Sequence, residues 1–202
     1  MTAPHWDAVY AAKTAADLSW TQPEPAASLR LVTGAVPAPG SVIDIGAGTS
    51  TLIEHLLAAG YPDLTALDVS AHALALAQQR LGPTAEQVCW LVADLLAWEP
   101  SRTYDGWHDR AVIHFLVDPH DRDRYIALAT RAVAGGGAIV IGTFAADGPA
   151  QCSGLPTARY DADALGALFA PTFALEHTER EQHQTPWGVP QSFTWVVLRH
   201  RG

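Results

Sequence analysis

The sequence predicts an α/β fold in which a doubly wound, mostly parallel sheet ends in an antiparallel C-terminal hairpin. Three observations predict it. Short β-branched runs alternate with helix-length stretches from residue 41 onward, glycine or proline separates most of them, and the alternation stops near residue 170. Strands that alternate with helices at this interval form βαβ units, whose strands are parallel and whose helices cover both faces of the sheet.

Five runs are predicted as the parallel strands, because each is followed by a turn or a helix signal. They cover residues 42–45, 64–69, 87–92, part of 104–115, and 138–144. The helices between them are predicted at residues 49–59, 71–81 and 118–133, the last one stopped by glycines 135–137. After a further helix at 161–169, extended runs at 173–183 and 191–199 flank the turn at 185–188 and predict the hairpin.

Length and composition exclude several classes of protein. The 202 residues suit one domain; hydrophobic residues make up 49% of them, charged residues 16%, and the formal net charge is −9. This acidic balance argues against nucleic acid as a partner, because binding to a phosphate backbone depends on clustered Lys and Arg. No stretch approaches the roughly 20 apolar residues of a membrane helix, so no membrane partner is expected.

The spacing of cysteine and histidine argues against a metal site. Cys89 and Cys152 lie far apart, and the nine histidines lack the HxxxH or HxH spacing that would bring two imidazoles to one ion. The N-terminus lacks the basic-then-apolar pattern of a signal peptide. We therefore expect a cytoplasmic protein without a metal ion, either a monomer or a homodimer.

A glycine-rich turn, Gly46-Ala47-Gly48, stands where the first strand passes into a helix. Glycines there allow a ligand to approach the free N–H groups of the helix N-terminus closely, although a tight turn packed against the sheet would look the same. A dinucleotide-binding fingerprint needs a small residue where Thr51 stands, which makes a nicotinamide dehydrogenase a poor alternative.

Three carboxylates, those of Asp44, Asp68 and Asp94, stand at or near the ends of three neighbouring predicted strands. Asp68 lies about 20 residues after the turn, where an acidic side chain accepts hydrogen bonds from both hydroxyls of a ribose. Asp94 is placed to meet an adenine amino group. Carboxylates without a nearby lysine suit a ligand with a ribose, an adenine and a positive centre better than a polyphosphate. S-adenosylmethionine (SAM) fits that description.

The residues at these three strand ends resemble the motifs of the class I SAM-dependent methyltransferases. Residues 42–49 resemble the first motif, 67–70 the second and 93–95 the third, although Ser50 stands where many members have a third glycine. The resemblance implies a Rossmann-like, seven-stranded sheet of order 3-2-1-4-5-7-6. It also implies SAM as cofactor and S-adenosylhomocysteine (SAH) as product. The cofactor residues that it implies are Asp44, Gly46, Gly48 and Thr49 (methionine portion), Asp68, Val69 and Ser70 (ribose), Asp94 and Leu95 (adenine), and Asp109.

The acceptor is expected at the end of the fourth strand, where Asp109 and Arg110 stand. Asp109 is predicted to position or deprotonate the acceptor, with a purely structural Asp–Arg link as the alternative, and His114 is a second candidate base. We expect Arg110, Cys152, His183 and Trp187 to contact substrate.

Residues 109–111, with Pro119, Arg122 and Tyr125, are similar to the thiopurine methyltransferase group, and 148–149 and 183–188 echo its later elements. This similarity favours methyl transfer by in-line displacement to a small molecule such as a thiol or another soft nucleophile. The same Asp-Arg-Ala step also resembles protein-lysine methyltransferases, so a protein-lysine or protein-histidine methyltransferase is an alternative. A SAM-binding protein without catalysis is a further one.

The N-terminal segment carries three aromatic residues, Trp6, Tyr10 and Trp20. Trp6 and Tyr10 fall on one helical face, which predicts either a staple onto the core or a lid whose aromatic faces hold the sulfonium. We favour the lid. The expected organisation is therefore one methyltransferase domain, residues 1–202, with a helical lid at 1–40 and a Rossmann-like core at 41–202.

Overall fold

The computed structural model describes residues 2–202, apart from the side chain of Ala15; Met1, the first residue of the predicted lid, lies outside them. The helices are α1 (Ala3–Ala12), α2 (Ala26–Ala35), α3 (Leu52–Ala58), α4 (Ala71–Leu81), α5 (Pro119–Ala132) and α6 (Ala162–Phe169). The strands are β1 (Val42–Ile45), β2 (Leu64–Asp68), β3 (Val88–Val92), β4 (Tyr104–Arg110), β5 (Val133–Phe144), β6 (Gln151–Cys152), β7 (Leu155–Pro156), β8 (Phe173–Gln184) and β9 (Pro190–His200).

Seven strands form one sheet of order β3-β2-β1-β4-β5-β9-β8. The first five in that order pair in parallel, whereas β9 is antiparallel to β5 and β8 is antiparallel to β9. If the two-residue strands β6 and β7 are left out of the count, the order is 3-2-1-4-5-7-6. The predicted fold and the terminal hairpin are confirmed.

The sheet is buried on both faces, which explains why its central strands are almost continuously apolar. Along β1, Ile43 and Ile45 pack in a cluster with side chains of α5 and α6. Val42 points to the other face and packs with side chains of α2 and α3. The sheet is therefore held between two helical layers, and its strand ends form a fixed platform.

Side-chain caps set the start of three helices. Ser70 Oγ accepts a hydrogen bond from Ala73 N at the start of α4. Asp118 caps α5 and Asp161 caps α6 in the same way. Such a cap satisfies a backbone N–H that the first helical turn leaves without a partner. The predicted starts of these helices agree with the structure to within one residue.

Strand β5 begins earlier than the sequence predicts. It starts at Val133, directly after α5, so glycines 135–137 belong to the strand and do not form a separating loop. The register with β4 shifts between the pairs Tyr104–Val133 and Gly106–Ala138, which accommodates extra residues in β5 as a bulge. A Cβ at Gly137 would lie 2.9 Å from Ala134 O, so this irregular segment favours glycine.

Two structural features are absent from residues 2–202. No helix in this range is long and apolar enough to cross a membrane. No group of three or more His, Cys, Asp or Glu side chains among the same residues is arranged to hold a metal ion.

Candidate active site

One large cavity lies over the carboxyl ends of the parallel strands. Its empty space, open mouth included, is about 930 Å³, within the range of small-molecule sites. The ends of β1, β2 and β4 contribute to its walls, as do the residue that ends β5 and a residue near the start of β9. The sequence-predicted residues that line it are Trp6, Tyr10, Trp20, Gly46, Asp68, Val69, Asp94, Leu95, Arg110, His114 and Cys152.

The glycine-rich turn has the backbone conformation that only glycine adopts without strain. Gly46 has φ +64° and Gly48 has φ +52°. A Cβ on Gly46 would collide with the Val112 side chain, and one on Gly48 would collide with the Tyr10 hydroxyl. Side chains are excluded here because the lid and the turn after β4 approach the backbone closely.

The Asp68 carboxylate joins the glycine-rich turn to the end of β2. Its Oδ2 accepts a hydrogen bond from Gly48 N and its Oδ1 accepts one from Ser70 N, each at 2.8 Å. Burial raises the Asp68 pKa to about 6, and the nearby Asp44 charge adds to the rise. A carboxylate has about four acceptor sites, so Asp68 retains capacity for hydroxyl groups of a ligand in the cavity.

Asp94 and Leu95 line the cavity just after β3. Asp94 Oδ1 accepts a hydrogen bond from Leu96 N at 3.0 Å, which fixes the short turn that follows. Leu95 is buried and contributes an apolar surface beside it. An exposed carboxylate next to an apolar side chain can hydrogen-bond an amino group at the edge of a flat ring while packing against its face.

Five predicted cofactor residues lie outside the cavity lining: Asp44, Gly48, Thr49, Ser70 and Asp109. Asp44 faces His108, its neighbour in register on β4, and its Oδ1 lies 2.7 Å from His108 Nδ1. Ser70 caps α4, and the Thr49 carbonyl accepts a hydrogen bond from Arg80. Asp44 Oδ2 is buried and has no hydrogen-bond partner among residues 2–202. Direct contact of these residues with the cofactor stays a prediction.

The N-terminal aromatics form a roof over the cavity. Trp6 and Tyr10 are buried, and the Trp6 ring contacts Trp20 and Phe115 with ring centroids 5.9 and 5.3 Å apart. Asp7 fixes α1 to the start of α4, since its Oδ1 accepts a hydrogen bond from Ser70 Oγ at 2.6 Å. Burial and the Asp68 charge raise the pKa of Tyr10, which keeps its hydroxyl protonated. The segment packs on the core and encloses the cavity at the same time.

Asp109, predicted as a catalytic and cofactor-binding residue, is fully buried and does not line the cavity. Its carboxylate accepts hydrogen bonds from Val112 N (2.8 Å), Ile113 N (3.0 Å) and Tyr125 Oη (2.6 Å). Burial raises its pKa to about 6. Asp109 fixes the turn after β4, and that turn carries His114 into the cavity. This placement favours the structural alternative over the catalytic prediction.

Arg110 lies at the end of β4 and lines the cavity. Its Nη1 donates to the Trp20 carbonyl at 3.0 Å, and the guanidinium lies 4.9 Å from the centre of the Phe193 ring. Nε and Nη2 are buried and have no hydrogen-bond partner among residues 2–202. Burial lowers the Arg110 pKa to about 10, so the group still carries its charge at neutral pH.

His114 also enters the cavity with unused polar atoms. Both ring nitrogens are buried, and neither has a partner within the described part of the chain. The ring packs against Phe115 and Phe144, with centroids 4.3 and 4.5 Å away. Burial, together with the Arg110 charge, lowers the His114 pKa to about 3. The imidazole is therefore neutral at physiological pH and can both donate and accept a hydrogen bond.

Of the other predicted substrate residues, only Cys152 lines the cavity. His183 is buried, and its Nε2 lies 2.6 Å from the Ser19 carbonyl, so it fixes the segment that follows α1. Trp187 is 55% exposed, because the turn that closes the β8–β9 hairpin carries it into solvent. His183 and Trp187 are thus not brought to the acceptor side.

Several residues that line the cavity, most of them apolar, were not predicted from the sequence. Phe144 and Phe193 face each other across β5 and β9, with ring centroids 5.1 Å apart. Phe144 was detectable as the last residue of the fifth predicted strand. Phe193 was not detectable from the sequence. It lies near the start of β9, and that end of the strand reaches the cavity only because β9 runs antiparallel to β5. Ser19, Phe115 and Gln191 also line the cavity and carried no motif.

A family model described as a methyltransferase domain matches residues 42–137. These residues include Gly46 of the glycine-rich turn, Asp68 and Asp94, all of which line the cavity. This match and the strand order of the sheet together support a class I methyltransferase domain. The cofactor of such a domain is SAM. No curated protein matches the sequence.

Solved structures resemble the methyltransferase over most of its length. One comes from work on the conversion of a disulfide bond into a thioacetal group during echinomycin biosynthesis: TM-score 0.77, 23% identity, 98% of this chain and 93% of that one covered. Another is the N-methyltransferase NodS from Bradyrhizobium japonicum WM9 in complex with SAH. It has a TM-score of 0.74 and 19% sequence identity, and the match covers 98% of this chain and 100% of that one. A third is the 1,6-didemethyltoxoflavin-N1-methyltransferase of Burkholderia thailandensis. It has a TM-score of 0.71 and 21% sequence identity, and the match covers 96% of this chain and 81% of that one. At these identities the likeness establishes the fold.

Proposed function

We propose that the methyltransferase transfers the SAM methyl group to a small-molecule acceptor with a soft nucleophile, such as a thiol. The observation that carries this proposal is the absence, among the described residues on the acceptor side, of a side chain suited to act as base at neutral pH. The Asp109 carboxylate is outside the cavity, and His114 has a pKa of about 3, far below the operating pH that favours a base. An acceptor that ionises readily needs no such base.

Methyl transfer from SAM to a thiol requires no further reactant. A thiol with an ordinary pKa of about 8.5 is partly ionised at neutral pH. The thiolate forms a bond to the methyl carbon while the carbon–sulfonium bond breaks, and SAH leaves with the electron pair of that bond. The thiol proton passes to solvent before the transfer. In this scheme neutral His114 donates a hydrogen bond to the nucleophile and orients it.

We infer that the cofactor lies over β1 to β3. Asp68 would accept hydrogen bonds from the ribose, Asp94 and Leu95 would hold the adenine, and Gly46 would allow the methionine portion to approach the backbone. The methyl group would then face the ends of β4 and β5, where Arg110 and His114 line the cavity.

The roof favours a small acceptor over a protein side chain. Trp6 and Tyr10 are held down on the core, and Asp7 anchors their helix to α4. A closed roof excludes water from the reacting groups and leaves room for a metabolite more readily than for a polypeptide. The structural neighbours associated with echinomycin and toxoflavin chemistry support the same choice.

The test uses purified protein, tritiated SAM and a cell lysate separated into metabolites and macromolecules. We expect label in the metabolite fraction, on a compound that resists labelling after its thiols are blocked. Label on a protein band would support the protein-lysine or protein-histidine alternative. Label in neither fraction, together with tight SAH binding, would support a non-catalytic SAM-binding protein. The variant Asp68→Ala serves as the control without a cofactor site.

A further inference from the structure

Arg110 is the only Lys or Arg among the lining residues that the structure describes. The remaining walls are largely aromatic and aliphatic, and the two carboxylates that line the cavity, Asp68 and Asp94, stand at the ends of β2 and β3. The cavity therefore has opposite charges on its two sides. Its cationic side is the side on which the acceptor is expected.

The Arg110 guanidinium makes no direct contact with an anionic side chain of the described residues. No carboxylate of residues 2–202 forms an ion pair with it. Glu181 is near enough for its charge to raise the Arg110 pKa, but the two side chains form no ion pair, and the Glu181 oxygens accept hydrogen bonds from Gln22 Nε2 at 2.9 Å and Trp195 Nε1 at 2.7 Å. A buried guanidinium without an anionic partner is rare in protein interiors, because charges removed from water are normally paired.

The two unused donors of Arg110 match one kind of ligand. Nε and Nη2 of a guanidinium lie side by side and bind the two oxygens of a carboxylate in parallel. Phe193 lies against the same guanidinium, and Phe144 packs on Phe193, so an aromatic surface adjoins the donors. A ligand that used both features would combine a carboxylate with a flat apolar body.

We propose that the methyl acceptor is an aromatic or otherwise flat acid whose carboxylate is bound by Nε and Nη2 of Arg110. This inference rests on the proposed function, because it concerns the acceptor of the same cavity. With its acid group on Arg110 and its ring near Phe193, such a molecule is anchored at the end of β4. His114, which enters the cavity from the turn just after that strand, is then available to its nucleophile.

The methionine end of SAM carries the one other carboxylate that must enter this cavity. Two ligands show whether Arg110 binds the carboxylate of the cofactor or that of the acceptor. SAH has the amino-acid end with its carboxylate, and 5′-methylthioadenosine lacks it. If Arg110 holds the acceptor, the variant Arg110→Gln binds both ligands as the wild type does.

The main experiment titrates SAH-saturated protein with two acids, benzoate and indole-3-acetate, and with their amides, benzamide and indole-3-acetamide. Calorimetry or the fluorescence of the tryptophans in the roof reports binding. We expect at least one acid to bind at least about 30-fold more tightly than its amide, as is typical of a buried charge pair. Arg110→Gln should abolish this preference. Arg131→Gln, which removes an exposed arginine of α5, should retain it.

Three results would overturn the inference. If the acids bind to the wild type no better than their amides, the cavity has no carboxylate site on Arg110. If SAH still binds in that case, the proposed function is not contradicted. A preference that survives in Arg110→Gln would assign the site to other residues. A loss of SAH affinity in that variant, with unchanged affinity for 5′-methylthioadenosine, would assign Arg110 to the cofactor. If Arg110→Gln fails to fold, Arg110→Lys keeps the charge without the paired donors and should lose most of the preference. A wild type that fails to bind SAH would instead contradict the proposed function.

Discussion

The two sides of the cavity differ in how their polar groups are satisfied. On the cofactor side, Asp68 and Asp94 accept hydrogen bonds from the backbone of the same loops that they shape. On the acceptor side, Arg110 and His114 project buried nitrogen atoms that have no partner among the described residues. The first side is organised before any ligand arrives, whereas the polar groups of the second are left for a ligand to satisfy.

The difference indicates how each side recognises its ligand. A carboxylate fixed by backbone N–H groups holds its position and offers its remaining lone pairs to a constant ligand such as a ribose. Unpartnered donors in an apolar pocket discriminate strongly against a molecule that cannot pair with them. Under the proposed function, the cofactor side would suit the invariant cofactor, and the acceptor side would determine which substrate is used.

The strongest test of the organised side is Asp68→Ala. The change removes the proposed acceptor for the ribose and also releases Gly48 N, and hydrogen bonds to a charged group contribute about 1.5–3 kcal/mol each. We expect SAH affinity to fall at least about 100-fold by calorimetry. Asp63→Ala, which removes an exposed carboxylate just before β2, is the control and should bind normally. Unchanged affinity in Asp68→Ala would contradict the assignment of the ribose site.

Asp109→Ala tests whether the residue that supports the acceptor side is structural. Its loss leaves Val112 N, Ile113 N and the Tyr125 hydroxyl without their acceptor, which we expect to destabilise the protein by about 3 kcal/mol. For a chain of this size the melting temperature should drop by about 6–12 °C in calorimetry. Asp123→Ala, at an exposed position of α5, should change it little. Lost turnover at an unchanged melting temperature would restore the catalytic prediction.

The pH dependence of cofactor binding tests the ionisation of Asp68. With a pKa of about 6, the carboxyl is mostly protonated below that pH, so one oxygen becomes a donor and the proposed hydrogen bonds from the ribose lose their charged acceptor. We expect SAH to bind about tenfold more weakly at pH 5 than at pH 7. Asp68→Asn should bind weakly at both pH values, with a flat profile. A wild-type profile that is flat, with the fold verified by circular dichroism, would show that Asp68 does not control binding.

The same titration affects stability in a defined direction. The pKa values of Asp68 and Asp109, both about 6, lie above that of an unfolded aspartate. Between about pH 4 and 6 the native protein therefore holds more protons than the unfolded chain, and the contribution of these groups to stability decreases as the pH rises through that window.

The smallest effect is expected for the roof. Trp6→Ala removes an aromatic face that is packed against Trp20 and Phe115. If the roof holds the sulfonium by a cation–π contact, the variant should lose about fivefold more affinity for SAM than for uncharged SAH. Trp187→Ala changes an exposed tryptophan and is the control. Equal losses for the two ligands would indicate that Trp6 is a staple without a charge-specific role.

The architecture of the sheet and half of the site were predictable because their causes are local. A β-branched run, a glycine that must adopt positive φ and an acidic residue at a strand end are each visible within a few residues. The placement of Asp68 and Asp94 at the cavity followed from these signals together with the rule that parallel strands end at one edge. The beginning of β5 was missed because a bulge against β4 decides where that strand starts.

The acceptor side could not be assigned from the sequence, because its residues look alike until their partners are known. Asp109 and Arg110 are adjacent in sequence, yet Asp109 is engaged by Tyr125 and the turn after β4, while Arg110 enters the cavity. Asp44 stands in the first motif but pairs with His108.

The sequence by itself determined the fold class, the order of the elements, the glycine-rich turn and the chemistry of the cofactor. Only the tertiary structure decided which polar groups are satisfied within the protein and which are left for a ligand. The physical reason is that a hydrogen bond between distant segments, such as Asp109 with Tyr125 or Arg110 with Trp20, depends on how strands and helices pack together. Local sequence patterns carry no record of that packing.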